Sequence, residues 1–286
     1  MRTDFLRRVK AILLDAFEKS DDFYRVVYHA AGIDKKDIAQ LTQKSFSSLP
    51  VVTLKDLANA PYKQRCIKED RGFNKLVFSN DADRYFLVHR TLEEIREDYV
   101  PYEGSRPLVL MQNVYEALER CLFFYEHRVL PLIGEVLNPA VVYATAKQYR
   151  VDSVVIDHGS VTKFREGLLS LKLPLKSVNV VDSTFSSSDL AWTKKLQIHY
   201  TISLPEFGLI GNICPQSTGQ RNPVLHPYED VYIEPSARSI LTSARLRSCP
   251  MIRYQSNLDL KDIESKCLCE EQYSFAFSQK SSSAGD

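Results

Sequence analysis

Between residues 107 and 203, short runs rich in Val, Ile and Leu alternate with longer amphipathic stretches. PLVLMQ (107–112), VLPLIG (129–134), DSVVID (152–157), KSVNVVDS (176–183) and LQIHYTIS (196–203) are separated by helical patterns at 114–128, 139–150, 160–171 and 186–194. No other feature constrains the fold as much. Apolar runs of this length suit strands buried on both faces, and an intervening helix is the crossover that a parallel pair requires. The spacing predicts an α/β fold with a mainly parallel sheet and helices on both faces. In open sheets of this kind ligands gather beyond the carboxyl ends of the strands, so loops 112–114, 134–138, 157–160, 182–187 and 203–208 are the places to look.

The α/β rhythm is framed on both sides. MRTDFLRRVKAILLDAFEK carries Leu6, Val9, Leu13 and Phe17 at helical spacing and reads as an amphipathic helix packed on the body. Two short helices joined at Gly32 follow, and Pro50 closes the loop before another. Residues 1–62 therefore form a helical preamble, 63–208 the α/β body, 209–277 a small β-rich subdomain with short strands and turns, and 278–286 a disordered tail. With 37 basic and 36 acidic side chains the chain has no broad basic surface for nucleic acid, and no run of apolar residues spans a membrane. Six cysteines without a secretory signal are expected to be reduced thiols in a cytoplasmic protein.

Several pieces carry a resemblance when taken in order: Phe23-Tyr24-Arg25, Ala31-Gly32-Ile33, the stretch Leu49 to Leu57 (LPVVTLKDL), LPEFG at 204–208, and HPYEDVYIEP…RSCPMIRYQSNLDL…CLCEEQYSF. Together they resemble phenylacetate-CoA ligase-like members of the adenylate-forming superfamily. The resemblance spans most of the chain and implies a Rossmann-like body. It also implies activation of a carboxylic acid with ATP to an acyl-adenylate, followed by transfer to a thiol. A mobile C-terminal lid domain completes such enzymes and is expected to be absent here, because the sequence ends where the lid would begin.

Position by position, the chain departs from that chemistry. The phosphate loop of the family corresponds to FSNDADRYFLVH, which keeps Ser79, has no glycine, and places Asp81 and Asp83 where polyphosphate would lie. Each carboxylate would repel phosphate by about 1 kcal/mol at 4 Å even in water. In YTISLPEFG, Tyr200 belongs to the aromatic motif and Glu206 falls at the magnesium-binding position; the competing reading of Glu206 is a cap or an ion-pair partner. Arg253 opens the turn that normally ends in a ribose-binding aspartate, yet Leu258 stands there and Asp259 comes one residue late. The turn that backs adenine is Val181-Asp182-Ser183, without its glycine. ATP and magnesium are accordingly not expected as cofactors.

Cys267-Leu268-Cys269 matches a Cys-x-Cys stretch of the family, with Glu270 and Glu271 replacing Gly-Arg, and Cys214 and His226 lie upstream in the same β-rich region. Three thiols and an imidazole form the Cys₃His set of tetrahedral structural zinc. The competing reading is four packed, cytosolic side chains. Cys249 is the spare thiol. His158 and Ser186–Asp189 read as a turn residue and a helix start, and Asn138 as a cap before Pro139; Trp192 and Phe123-Phe124-Tyr125 read as core.

The expected function is a truncated, degenerate ligase-like protein, a non-adenylating binding or scaffold component in acyl or natural-product metabolism, with a partner protein or an acyl ligand. The alternative is an active acyl-activating or acyl-transferring enzyme whose lid comes from a partner chain. The sequence leaves the oligomeric state open.

Overall fold

The computed structural model describes residues 1–19, 21–79, 82–190, 192–193, 196–218, 220, 223–263, 267, 269 and 273–277. Asp81, Glu270, Glu271 and the tail at 278–286 lie outside the described residues.

The centre is a nine-stranded sheet. Five strands, in spatial order Leu132–Ile133, Pro107–Leu110, Ser153–Asp157, Ser177–Asp182 and Gln197–Leu204, pair in parallel. Four more, Gly208–Ile213, Val224–Pro227, Phe275–Phe277 and Leu260–Asp262, continue the sheet antiparallel. The parallel strands match the expected runs because successive side chains feed opposite cores. Leu108, Leu110, Val154, Ile156, Val178 and Val180 join the core shared with the N-terminal helices, whereas Val109, Val155 and Val181 join Ile95 and Phe124 on the other face. A strand buried on both faces cannot show polar alternation, and these do not.

Helices Val114–Glu126, Pro139–Tyr149 and His158–Ser170 make the crossovers. Asn138 caps the second, accepting from the Val141 amide with Pro139 next in line, and Asp157 caps the third through the Ser160 amide. Thr3–Glu18 buries Val9, Ile12, Leu13 and Phe17, with the shorter helices Phe23–Ala30, Lys35–Ala39 and Leu54–Asn59 packed nearby. Gly32 sits at φ 76°, a left-handed turn that ends the second helix without steric cost. Among the aromatic residues expected in the core, Phe123 and Phe124 are buried, Trp192 is half-buried and donates its indole N–H to the Asp189 carbonyl, and Tyr125 is 64% exposed on the outer face of its helix.

The stretch matched to the phosphate loop is the tip of an antiparallel hairpin, Gly72–Ser79 with Arg84–Thr91. The strands Val231–Glu234, Ile240–Ser243 and Tyr254–Gln255 form a separate three-stranded sheet. No described helix is long and apolar enough to cross a membrane.

Candidate metal centre

Cys214 ends the strand Gly208–Ile213, and His226 lies on the neighbouring strand Val224–Pro227. The Cys214 amide donates to the Val224 carbonyl at 2.7 Å, and Ser217 bridges the Cys214 carbonyl and the Val224 amide, so the two strands and the turn between them hold these ligands in register. Cys267 and Cys269 approach from the segment that precedes Phe275–Phe277. Cys267 Sγ is 3.5 Å from Cys214 Sγ, Cys269 Sγ is 3.2 Å from His226 Nε2, and all four ligand atoms lie within 4.8 Å of one another.

Sulfur at about 2.3 Å and nitrogen at about 2.0 Å on tetrahedral corners would be roughly 3.5–3.8 Å apart. The two short contacts, 3.2 and 3.5 Å, would open slightly and the widest separations, up to 4.8 Å, would close by about 1 Å around one small cation. The other imidazole nitrogen, Nδ1, faces the Tyr273 carbonyl at 3.5 Å, the outer contact that leaves Nε2 as the ligand atom. Burial pushes the Cys214 thiol up to about 12, so a thiolate there requires a compensating positive charge. The donor set could hold a metal, as the spacing of these residues implied. Cys249 is remote from it, packed beside Cys66. His226 and Cys269 also border an open cavity of about 980 Å³ that includes Phe5, Tyr99, Tyr232 and Arg245.

The residues matched to nucleotide handling have the following surroundings. Glu206 is 6% exposed and accepts a 2.6 Å hydrogen bond from the Tyr254 hydroxyl; burial, the larger influence, raises its pKa. Ser79 is fully buried and accepts from the Ala82 amide across the hairpin tip. Arg253 forms a two-bonded ion pair with Glu234 at 3.0 and 3.1 Å and donates to the Leu49 carbonyl. Tyr200 donates to the Thr184 carbonyl at 2.7 Å and to Asp189 at 3.2 Å. Asp259 is half-buried beside Leu258, which fills the core.

Two arrangements went unread in the sequence. Under the hairpin lies a charge cluster cut off from solvent: Lys75 Nζ is 2.9 Å from Glu119 and 3.4 Å from Glu116, Arg90 reaches Glu119 and Asp98, and Arg120 and Arg245 both reach Asp98. Burial works against every one of these charges; Lys75, Arg90 and Arg120 nevertheless hold Glu119 well below the usual carboxylate range, and the carboxylates raise Lys75 and Arg90. The alternation of Lys75 and Val77 on a strand was the available signal, but a buried lysine is rare enough that pattern alone assigns it to solvent.

The second arrangement stands at the carboxyl ends of the strands. His158 Nδ1 is 2.7 Å from the buried Asp189 carboxylate, which also receives the Tyr200 hydroxyl, while about half of the imidazole remains exposed. His158 starts a helix and Asp189 lies in the 3₁₀ turn Ser187–Leu190, so both positions were legible and their pairing was not.

No known family's sequence profile matches the chain, and no curated protein matches it. Solved structures do. A 2-hydroxyisobutyryl-CoA ligase in the postadenylation state superposes with a TM-score of 0.64 at 14% identity, over 95% of this chain and 65% of the ligase. The fold is similar to that of the part of the ligase it covers. The N-terminal subdomain of Klebsiella oxytoca NpsA in complex with anthranilyl-AMSN (TM-score 0.52, 10% identity, 72% of this chain and 63% of that one) and VinN in complex with L-aspartate (0.51, 11%, 71% and 59%) are similar as well. The chain thus spans about two thirds of the length of the ligases it resembles. At such identities the likeness is one of fold, and it leaves the chemistry to the residues.

Proposed function

We propose that this chain is a non-adenylating, ligase-like binding or scaffold component, of the phenylacetate-CoA ligase-like type, whose antiparallel half is pinned by one structural zinc. The observation that carries the first part is Glu206. A magnesium ligand must present an ionised carboxylate to solvent and phosphate. This one is buried, bonded to Tyr254 and raised by burial. Arg253 and Ser79 are committed to Glu234 and to the hairpin backbone, which supports the same reading. For the metal, the support is a closed set of three sulfurs and one nitrogen, the combination that favours zinc over hard cations. The ligands a ligase-like scaffold would hold are an acyl group or a partner protein.

The test of the first part is ATP–pyrophosphate exchange with a panel of carboxylic acids, alongside calorimetry with ATP and AMP. The expected result is no exchange and no binding tighter than about 1 mM, which corresponds to roughly −4 kcal/mol. Exchange that is abolished by Glu206→Ala would instead establish the acyl-activating reading, with Glu206 as the magnesium ligand.

A further inference from the structure

Cys249, the thiol left over from the metal centre, has a partner. The Ile67 amide donates to the Ser248 carbonyl at 2.8 Å, so the segment that leaves the helical preamble runs beside residue 248, and Cys66 and Cys249 adjoin that bond from the two segments. Cys66 and Cys249 each belong to one of the two hydrogen-bonded peptide units, which brings their Cα atoms toward the window of about 4.4–6.8 Å that a disulfide requires. Both segments are anchored. Tyr24 of the helix Phe23–Ala30 donates to the Pro250 carbonyl at 3.0 Å and accepts from the Ile252 amide at 2.9 Å, and Lys19 donates to the Cys66 carbonyl at 3.3 Å. The thiols are therefore held adjacent by groups other than themselves.

We propose that Cys66 and Cys249 form an oxidisable dithiol, a modification site whose co-reactant is a small peroxide and whose product is a disulfide joining the N-terminal helical layer to the C-terminal part of the chain. The Cys66 thiolate attacks the peroxide O–O bond, giving a sulfenic acid and releasing an alcohol or water. The Cys249 sulfur then attacks the sulfenic sulfur, forms the S–S bond and expels the oxygen as water. Two thiols lose two protons and two electrons, and the peroxide gains them.

The surroundings divide the roles. Cys66 is brought down to about 7, chiefly because the neighbouring Cys249 thiol can donate to its thiolate; Tyr62 and Lys19 act in the same direction, while burial and Glu69 oppose them. Cys249 is raised, first by Cys66 and then by burial, although the His89 amide points at its sulfur from 3.4 Å. Cys66 is the attacking thiol and Cys249 the resolving one. At 4% and 3% exposure the pair admits a small neutral oxidant far more readily than a bulky disulfide such as oxidised glutathione.

The experiment treats the intact, metal-loaded protein with hydrogen peroxide, blocks free thiols and maps peptides without reduction. A linked Cys66–Cys249 peptide, lighter by two hydrogens and reversed by dithiothreitol, is expected, together with a melting temperature higher by roughly 5–10 °C from closing so long a loop. In Cys249→Ser the sulfenic acid on Cys66 should persist and be trapped by a dimedone-type probe; in Cys66→Ser no linked peptide should form. The wild-type map stands by itself if a variant fails to fold. Cys66 and Cys249 recovered as free thiols while the metal-centre cysteines oxidise, or Cys66 oxidised with Cys249 still free, would overturn the proposal.

Discussion

At the scale of single residues, the proposed metal centre depends on how each ligand is held. His226 is oriented by its strand and by the Tyr273 carbonyl, and Cys214 by the turn that Ser217 closes. Removing one thiol weakens the site while leaving the other three ligands in place, so Cys267→Ser should lower bound zinc and melting temperature together. Cys249→Ser should leave zinc content unchanged; elemental analysis of the two purified variants reads this directly, and stoichiometric zinc retained in a Cys267/Cys269 double substitution would remove the site.

His158 supplies a second residue-scale prediction. The hydrogen bond to Asp189 raises its pKa, with burial acting the other way. A raised histidine contributes stability that is fully present below its unfolded pKa, about 6.5, and is lost as pH rises through the higher folded value. The imidazole is half exposed, so solvent screening keeps the effect small. NMR titration should place its midpoint above about 6.5 in the wild type, returning toward that value in Asp189→Asn. An unchanged midpoint would separate the two groups.

At the scale of elements, the hairpin and the helix Val114–Glu126 are joined by opposite charges rather than by apolar surface alone. Lys75 on the first hairpin strand and Arg90 on the second share Glu119 of the helix. Deleting one member of a buried pair strands the other, which costs about 3–5 kcal/mol, so Glu119→Ala should destabilise by that order in urea unfolding. Lys75→Met combined with Glu119→Leu should recover much of the loss, because one charge of each sign is removed while Arg90 keeps Asp98 and Glu116 keeps Arg120. Acidification should reveal the same cluster. Since Glu119 is held far below its ordinary value, its contribution persists above the unfolded carboxylate pKa, about 4.3, and disappears as pH falls toward the folded one.

These elements also show what was legible in the sequence. The five parallel strands and their helices could be read from apolar runs because burial on both faces leaves a local signature, as in Val154, Val155 and Ile156. The grouping of Cys214, His226, Cys267 and Cys269, which could hold a metal, could be read because Cys and His at those positions carry specific chemistry. The hairpin at 72–91 could not, since its inward face holds Lys75 and Arg90, whose partners Glu116 and Glu119 lie 29 to 44 positions further along on a helix. A pairing between distant charges leaves no periodicity. For the same reason the Cys66–Cys249 neighbourhood emerges only once Ile67 and Ser248 are seen side by side.

At the scale of the whole molecule, the two halves of the central sheet are stabilised differently. The parallel strands are packed on both faces by large apolar clusters, whereas the outer antiparallel strands give one face, with Leu225, Leu260 and Phe275, to the large core, and the described residues away from it meet around a small cluster of Cys214, Val224 and Cys267, with Ile263 and Cys269 at its margin. Leu260–Asp262 and Phe275–Phe277 are three residues each, and Phe275–Phe277 joins the rest of the sheet through a two-residue register with Val224 and Leu225. The small cluster adds little apolar area to the ordering of these short strands, and a cation that ties Cys267 and Cys269 to Cys214 and His226 would strengthen that side of the sheet. Chelation should therefore act regionally. Hydrogen–deuterium exchange after zinc removal should show lost protection at 224–227, 260–262 and 275–277, with the amides of 107–110, 153–157 and 177–182 still protected. Readdition of zinc should restore the pattern. If chelation instead left all strands equally protected, the outer strands would be held by packing and the four ligands would be ordinary buried side chains; if it released the parallel half as well, the two halves would fold as one unit, with the metal stabilising the entire sheet.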